Sequence, residues 1–325
     1  MTIKGIANAI KKSKKMAIIG HISPDLDCLG SAFSLKEVLS KNFNIKVSVF
    51  ADGKIKENEK EIFYPNNLET KEFKAKDYDL IITVDTPNIS RLGKYADEVK
   101  KHKNIIKIDH HYDNLTPFTE NFYVDEKSAS CCEIVYLVIK ELTKELDKNV
   151  ATFLYAGITG DTNSFLNSNS TPNSMMLAGF LFEKGADVNN INQQYFKSKT
   201  KNQWELMKYI YQKVTFLDNF AYVGLKLKDL KRFNVSGDGL SSFANELICI
   251  KGIDVSCVFV EKNLKTYYCS FRSKEGYSVR DVAQKLGGGG HVCAAACLLN
   301  GSYSEVKNKI VKIAKEEILK GQKNG

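Results

Sequence analysis

Short apolar runs alternate with amphipathic segments along the first half of the chain. Four of these runs have the length and the β-branched content of strands, and they lie at Met16–Gly20, Ile45–Phe50, Leu80–Asp85 and Asn104–Asp109. Their apolar character is nearly continuous, which is typical of a parallel sheet covered on both faces. Helix patterns lie between and after them, at Leu29–Leu39 and Ser128–Leu146. This alternation predicts an α/β domain with a doubly wound, mainly parallel sheet.

The pattern changes in the second half of the chain. Residues 191–214 are polar with apolar residues at helical spacing, which predicts a connecting helix. Three strand patterns, a helix and a lysine-rich amphipathic tail follow at Ala221–Leu227, Val255–Glu261, Thr266–Arg272, Val279–Leu286 and Ser304–Leu319. We therefore expect an N-terminal domain over residues 1–190, a helical linker over 191–215, and a smaller α/β domain with a mixed sheet over 216–325. A cleft between the two domains is the expected place for an active site.

Length and composition exclude several classes of protein. The chain has 325 residues, more than one ordinary core accommodates, so two domains are expected. No apolar stretch approaches the roughly 18 residues of a membrane helix, and no apolar region of a signal peptide follows the lysine-spotted start. The eight cysteines form no CxxC pair, which is typical of reduced thiols. We expect a cytoplasmic protein without a membrane segment.

The charge favours a polyanionic partner, with a qualification. The formal net charge is +9, which attracts polyanions over long distances. Nearly all of the basic residues are lysines, however, and the arginines are Arg91, Arg232, Arg272 and Arg280. A planar, bidentate phosphate contact must therefore come from among these four residues.

Acidic residues and histidines gather at the ends of the predicted strands. They are His21, Asp25 and Asp27 after the first run, Asp85 at the end of the third, Asp109, His110 and His111 at the end of the fourth, and Asp161 after a later apolar segment, Phe153–Thr159. The carboxyl ends of parallel strands form one rim, and ligand sites lie in its crevice. We therefore expect these groups to converge.

The chemistry of this set favours metal ions. Carboxylates together with imidazoles suit manganese, zinc or iron better than calcium, which prefers oxygen alone. Five or more ligands exceed the need of one four-coordinate ion, so the set predicts two divalent cations. Without cations, so many carboxylates in one crevice repel one another. Any one aspartate alone is equally well explained as a helix N-cap, but the whole set is not.

A glycine run in the second half predicts an anion contact. Residues 287–290 are four glycines, followed by His291 and by the alanine-rich segment Cys293–Cys297, which we interpret as a short helix. Glycines before a helix let backbone N–H groups approach an anion closely, whereas the alternative is a flexible linker. Arg272 at a predicted strand end is the best candidate for a bidentate contact. Arg91, six residues past Asp85, either reaches the crevice or forms a surface salt bridge.

Four segments carry a family resemblance. HISPDLDCLGS, VDTPNISRLG, IDHH and GDT occur in this order and resemble the four motifs of the DHH phosphoesterase superfamily, which includes RecJ exonucleases, nanoRNases, cyclic-dinucleotide phosphodiesterases and family II pyrophosphatases. The resemblance implies that His21, Asp25 and Asp85 hold one metal ion. It also implies that Asp27, Asp85, His110 and Asp161 hold a second, with Asp85 bridging, and that His111 contacts the substrate phosphate or leaving group. Asn163 departs from the glycine that is usual in the last motif.

The C-terminal half is similar to the DHH-associated domain. Its GGGH motif is matched by Gly288, Gly289, Gly290 and His291, and its SFRS segment by Ser270 to Ser273. The resemblance implies that these glycines, His291 and Arg272 bind the substrate. Ala296 stands where the family commonly has glycine. Tyr267, Tyr268 and Phe271 offer a face for stacking bases, although alternating aromatic residues in a strand more often belong to a core.

Together these observations predict a manganese-dependent phosphodiesterase with Asp85 and His111 as catalytic residues. The expected substrates are very short RNA or DNA oligonucleotides and linear dinucleotides, cleaved to nucleoside 5′-monophosphates, and also adenosine 3′,5′-bisphosphate. A homodimer is expected from related enzymes. Two alternatives stay open at this point: a cyclic-dinucleotide phosphodiesterase, and a non-catalytic RNA-binding protein.

Overall fold

The computed structural model describes residues 1–111, 118–237, 239–240 and 243–321. The chain divides into two compact units, Met1–Ser198 and Lys199–Gly325. None of the helices in the described part of the chain is long and apolar enough to span a bilayer.

The first unit is built on a five-stranded parallel sheet with strand order β2-β1-β3-β4-β5. The strands are β1 (Lys15–Ile19), β2 (Lys46–Phe50), β3 (Leu80–Val84), β4 (Ile105–Asp109) and β5 (Phe122–Val124). Every residue of β3 and β4 is buried, as expected for strands that are covered on both faces. The predicted parallel α/β architecture is confirmed.

Eight helices of this unit lie in the described residues. They are α1 (Ile3–Lys11), α2 (Leu26–Asn42), α3 (Glu57–Phe63), α4 (Ala96–Val99), α5 (Cys131–Leu142), α6 (Lys148–Asp161), α7 (Pro172–Glu183) and α8 (Val188–Ile191). Short 3₁₀ segments cover Ala75–Asp77 and Ile89–Tyr95, and a π-helical turn covers Asn192–Phe196. The region 191–214 is therefore not one continuous helix as predicted.

The apolar segment Phe153–Thr159, which we grouped with the strand ends, lies inside α6. This helix begins after Asp147, whose carboxylate accepts a hydrogen bond from the backbone N–H of Val150 at 2.9 Å. Nearly all of its residues from 150 to 159 are buried. A short, continuously apolar run has no periodicity that distinguishes a buried helix from a buried strand. For this reason the grouping of this segment with the strands was wrong.

Two glycines let α2 and α6 pack at short distance. A Cβ atom at Gly30 would lie 2.4 Å from the carbonyl oxygen of Phe153. A Cβ atom at Gly157 would lie 2.2 Å from the sulfur of Cys132 and 2.8 Å from Oδ1 of Asp27. Larger residues at these positions would push the two helices apart.

The second unit contains a mixed six-stranded sheet with strand order β10-β11-β9-β8-β7-β6. Strands β7 and β8 are parallel and the other neighbours are antiparallel. The strands are β6 (Thr215–Leu217), β7 (Phe220–Leu225), β8 (Val255–Asn263), β9 (Thr266–Ser273), β10 (Gly289–His291) and β11 (Ala294–Asn300), and the helices are α9 (Lys201–Lys213), α10 (Leu227–Phe233), α11 (Phe243–Ile248), α12 (Val279–Lys285) and α13 (Tyr303–Gly321).

The alanine-rich segment after the glycine run is a strand, which corrects the predicted short helix. Ala294–Asn300 pairs residue by residue with β9, and buried residues alternate along it. Cys297 is buried opposite Cys269 in this sheet, so it packs in the core. Alanine favours helices intrinsically, but a free edge of β9 offers backbone partners that override this weak preference.

Candidate metal centre

The segment that runs from the end of β1 into the first turn of α2 supplies three side chains of the candidate site, His21, Asp25 and Asp27. Asp25 is the N-cap of α2, and its Oδ1 accepts hydrogen bonds from the backbone N–H groups of Asp27 and Cys28, both at 3.1 Å. The same oxygen lies 3.6 Å from Nε2 of His21. Asp25 is therefore both a helix cap and a member of the site.

Asp27 is held by the beginning of α5. Its Oδ2 accepts a hydrogen bond from the backbone N–H of Cys131 at 2.6 Å, and its Oδ1 accepts one from Cys132 at 2.9 Å. The carboxylate is 1% exposed, so it is oriented by the protein rather than by solvent. The N-terminus of a helix also favours negative charge at this place.

Asp85 follows β3 directly and lies between two groups of ligands. Its Oδ2 is 3.3 Å from Nε2 of His21, whereas its Oδ1 is 3.5 Å from Nε2 of His110. Its φ angle is +54°, a left-handed conformation that non-glycine residues rarely adopt and that is found most often at functional sites. The two oxygens of one carboxylate thus face two histidines.

The second group surrounds His110. Its Nε2 lies 3.1 Å from Oδ2 of Asp161, 3.5 Å from Oδ1 of Asp85 and 3.8 Å from Oδ2 of Asp27. Neither this nitrogen nor Oδ1 of Asp85 makes a hydrogen bond, although both are buried. An imidazole nitrogen carries at most one hydrogen and cannot serve three carboxylates, whereas a divalent cation can. The residues therefore fit a metal ion.

The electrostatics of the cluster also favours cations. Burial raises the pKa of Asp161 to about 6, and burial together with nearby carboxylates raises the pKa of Asp27 well above its usual value. Against the effect of burial, hydrogen bonds with Asp25 and Asp85 raise the pKa of His21 to about 10. The nearby carboxylates of Asp161 and Asp85 raise the pKa of His110 to about 12, again against the effect of burial. Bound cations would balance the same negative charge that raises the pKa values of these histidines.

Asp161 lies at the end of α6 and precedes an unusual turn. Asn163, Ser164 and Phe165 all have positive φ angles, between 48° and 65°. The backbone carbonyl of Asp161 accepts hydrogen bonds from the side-chain amide of Asn167 at 2.9 Å and from that of Asn169 at 3.4 Å. Asparagine tolerates a positive φ better than most residues, which accounts for Asn163 in place of glycine.

His111 lies at the edge of the cluster. Its Nδ1 is 2.8 Å from Oδ1 of Asp109 and 3.4 Å from Oδ1 of Asp85. Its side chain is 35% exposed, compared with 6% for His21 and 11% for His110. Of the three histidines it is thus the one that an incoming ligand meets most easily.

Arg91 lies beside the same cluster. One terminal nitrogen of its guanidinium is 3.3 Å from Nδ1 of His21. That Nδ1 is also 2.8 Å from the carbonyl oxygen of Ile22, to which it donates when it carries the proton. Arg91 is an exposed residue whose guanidinium contacts a histidine of the cluster.

The sequence analysis missed two residues of this region. The thiol of Cys28 lies within 4.8 Å of ligand atoms of His21 and Asp85, although we assigned the cysteines no role beyond that of reduced thiols. Its position inside the first motif was the available signal. Lys107 in β4 is buried, and a lysine within an otherwise apolar strand was a signal that we did not use.

The other predicted substrate residues lie in the second unit. The Nε of Arg272 donates to Oδ1 of Asn245, and one terminal nitrogen donates to the carbonyl oxygen of Phe271, both at 2.8 Å. Tyr267 and Phe271 are fully buried and belong to the core. Tyr268 is only partly buried. The guanidinium of Arg272 is thus held in place before any ligand arrives.

The glycines have different reasons for lacking a side chain. A Cβ atom at Gly288 would lie 2.1 Å from the carbonyl oxygen of Ala296, and Gly290 has a φ of +141°. Gly287 and Gly289 have open space where a Cβ atom would lie, although Gly287 also has a positive φ of +79°, so these two glycines leave room for close approach of a ligand. The side chain of His291 lies outside the described part of the structure.

Comparison with known proteins identifies the family. Residues 15–158 match the model of the DHH family, N-terminal domain, and residues 207–320 match that of the DHHA1 domain. The bifunctional oligoribonuclease and PAP phosphatase NrnA of Bacillus subtilis is 30% identical over 85% of this chain and 86% of its own. The uncharacterized protein MG371 of Mycoplasma genitalium is 28% identical over 99% and 97%. The chain belongs to the DHH family.

A solved structure supports the fold assignment. An exopolyphosphatase-related protein from Bacteroides fragilis superposes with a TM-score of 0.89 at 22% sequence identity, over 97% of this chain and 95% of its own. The expected combination of a DHH domain and a DHH-associated domain is confirmed.

Proposed function

We propose that this protein is a metal-dependent phosphodiesterase that hydrolyses very short oligonucleotides and linear dinucleotides to nucleoside 5′-monophosphates. The observation that carries the proposal is the position of Asp85, whose two oxygens face two separate histidine–carboxylate groups. A protein that only binds RNA has no need of such a cluster. The name of the Bacillus subtilis relative, a bifunctional oligoribonuclease and PAP phosphatase, supports the substrate class. It also supports adenosine 3′,5′-bisphosphate as a second substrate.

Two divalent cations, manganese in our proposal, would be held by the ligand sets that surround Asp85. His21 and Asp25 belong to one set, and the other consists of Asp27, His110 and Asp161. When bound, such cations neutralise phosphate charge and act as Lewis acids on the phosphoryl group. Mixed oxygen and nitrogen donors suit manganese, and the choice among divalent metals is open to direct measurement.

The chain's own residues would bind and orient the substrate. Arg272 would pair with a phosphate through the nitrogen atoms that its two protein hydrogen bonds leave available. Arg91 would attract the phosphate that lies at the cations. His111, the most exposed histidine of the cluster, would contact the leaving group and hold or move a proton there.

Location and assembly are part of the proposal. All eight cysteines are free thiols, which fits a reducing compartment and supports a cytoplasmic location. The homodimer stays a prediction. Light scattering of the purified protein, which measures its mass in solution, tests it. An apolar stripe on α7, formed by Met175, Met176 and Phe182, is exposed and is the first surface to examine.

The test compares substrates and two matched aspartate variants. With manganese we expect monophosphate release from dinucleotides such as pGpG and from short RNA, falling as the oligomer grows, and less from cyclic dinucleotides. Asp85→Asn should lower the rate by more than about 100-fold, beyond the loss usual for an outer-shell partner, and should weaken manganese binding in calorimetry. Asp79→Asn is the control, because Asp79 lies at the other end of β3 and accepts backbone bonds from Lys14 and Lys15.

The outcomes separate the alternatives. Faster cleavage of a cyclic dinucleotide than of its linear product would favour the cyclic-dinucleotide phosphodiesterase. Strong RNA binding without any cleavage would favour the binding protein and would contradict the proposal.

A further inference from the structure

Lys107 is a buried lysine in the middle of an apolar strand. It is 3% exposed, and its neighbours in β4 are Ile106 and Ile108. Lysine is almost never fully buried without partners. Here the ammonium donates a hydrogen bond to the carbonyl oxygen of Pro87 and lies 3.2 Å from Oδ2 of Asp109.

Asp109 connects this lysine to the candidate site. Its carboxylate is fully buried, and Oδ1 accepts three hydrogen bonds: from the backbone N–H of His110 at 2.9 Å, from that of His111 at 3.3 Å, and from Nδ1 of His111 at 2.8 Å. Oδ2 makes no hydrogen bond and faces the ammonium of Lys107. Lys107 therefore balances the charge of the Asp109 carboxylate, whose other oxygen accepts the hydrogen bonds from His110 and His111.

The same ammonium also reaches the neighbouring turn. Pro87 lies two residues after Asp85, so its hydrogen bond with Lys107 connects β4 to the turn that follows β3. Lys107 thus contacts both the last residue of β4, which precedes His110, and the turn that follows β3 and contains Asp85. An apolar residue at position 107 alone would leave the buried carboxylate of Asp109 without a counter-charge, so the lysine and the orientation of the carboxylate depend on each other.

We propose that Lys107 is a positioning residue for His111. Through Asp109 it fixes the ring of His111 with Nδ1 held by the carboxylate, so that Nε2 is the nitrogen left to contact the substrate phosphate or leaving group. The proposal rests on the proposed function for its catalytic consequence. The orientation of the ring is a structural statement that can be measured without activity.

The first test uses three substitutions. Lys107→Met removes the charge, Lys107→Gln keeps a donor for Pro87 without a charge, and Lys107→Arg keeps the charge. We expect kcat to fall about 10- to 100-fold in the Met and Gln variants, with KM changed far less and with partial rescue by Arg. Lys41→Met is the matched control, because Lys41 pairs with Glu37 and Asp147 outside the site, each at 2.7 Å, and should leave kcat unchanged.

A double-mutant cycle distinguishes positioning from a general loss of structure. If Lys107 acts through His111, Lys107→Met should have little further effect on kcat in a His111→Ala background, whereas independent effects would multiply. Multiplying effects, or a Lys107→Gln variant with wild-type kcat, would overturn the proposal.

The second readout is spectroscopic and does not depend on activity. In the wild-type protein we expect a downfield proton resonance for Nδ1–H of His111 that is absent in His111→Ala and shifted or broadened in Lys107→Gln. A wild-type spectrum without it, or one unchanged in Lys107→Gln, would contradict the inference even if the enzyme is active. Absence of hydrolysis by the wild type together with the expected spectra would instead contradict the proposed function alone.

Discussion

Buried carboxylates of this chain are stabilised in two different ways. In the candidate metal centre, burial and like charges raise the pKa of Asp27, so a bound cation would favour its ionised form. In the second unit, Asp229 accepts hydrogen bonds from Tyr209 and from the backbone of Lys226, both at 2.9 Å, and pairs with Lys213 at 3.1 Å. Although burial opposes it, these partners lower the pKa of Asp229. Asp229 therefore has a structural role that does not require a metal.

The lowered pKa of Asp229 predicts a pH-dependent contribution to stability. The contribution is fully present above the unfolded pKa of about 3.9 and is lost as the pH falls through the lower pKa of the folded state. Asp229→Asn should therefore lower the free energy of unfolding by about 1–3 kcal/mol at neutral pH and by much less in acid below that range.

Urea unfolding followed by the fluorescence of Trp204, the single tryptophan, measures this difference within the second unit. Asp281→Asn is the control, because Asp281 is about half exposed and a surface change of this kind stays within about 0.5 kcal/mol. A difference between wild type and Asp229→Asn that grows in acid would contradict the assignment.

For individual residues, the sequence predicted site members that lie in motifs or at strand ends, but not those whose role depends on packing. The side chains of Asp85 and His110 were predicted to meet, and they lie 3.5 Å apart. Lys107 was missed because its place in an apolar strand, the signal that was available, does not show that the lysine lies beside Asp109 in the sheet interior. Cys28 was missed because a lone cysteine is more often a core residue.

Among the elements, the contact between α2 and α6 decides whether the cluster can form. Asp27 lies in the first turn of α2, and Asp161 is the last residue of α6. Gly30 and Gly157 allow these helices to approach closely enough to bring both carboxylates to His110. The separation of two helices is therefore a property of the site as well as of the core.

Gly157→Ala should disturb both stability and metal binding. Its Cβ would overlap Cys132 and press on Asp27, so we expect a loss of about 1–3 kcal/mol and weaker manganese binding in calorimetry. Gly179→Ala is the matched control in α7, where a Cβ meets nothing within 4 Å. It should gain about 0.5–1 kcal/mol, since alanine suits a helix interior better than glycine. Equal effects of the two substitutions would argue against a special contact at Gly157.

Element types were predicted well where several signals agreed. The four runs predicted as strands of the first unit have strand length and β-branched residues, with helix patterns between and after them. The run at Phe153–Thr159 offered apolar character alone, and Cys293–Cys297 offered alanine content alone. The secondary structure of each segment depended on a partner from a distant part of the chain. The first packs against α2 as part of a helix, and the second pairs with β9 as part of a strand.

For the whole molecule, the metal ligands and the predicted substrate residues are divided between the two units. The six predicted ligands lie within Met1–Ser198, whereas Arg272 and the glycine run lie within Lys199–Gly325. Each unit has its own buried core. Cation binding should therefore stabilise mainly the first unit, Met1–Ser198, in which the predicted ligands lie.

Hydrogen exchange with and without manganese tests this division. A ligand that binds only the folded state stabilises it by about 2.7 kcal/mol at 100 times its Kd. We expect slower exchange in peptides that carry His21, His110 and Asp161, and little change in β8 and β9. The Asp85→Asn variant should show no slowing. Equal protection throughout both units in the wild type would contradict the expectation.

The shared carboxylate of Asp85 has a thermodynamic consequence. It faces His21 with one oxygen and His110 with the other, so under the proposed function two cations would compete for the electron density of one ligand. Their affinities would then be linked, and the factor by which the first ion changes the binding of the second would be the same in either order of addition. A manganese titration of this protein should therefore not follow the curve of two independent sites.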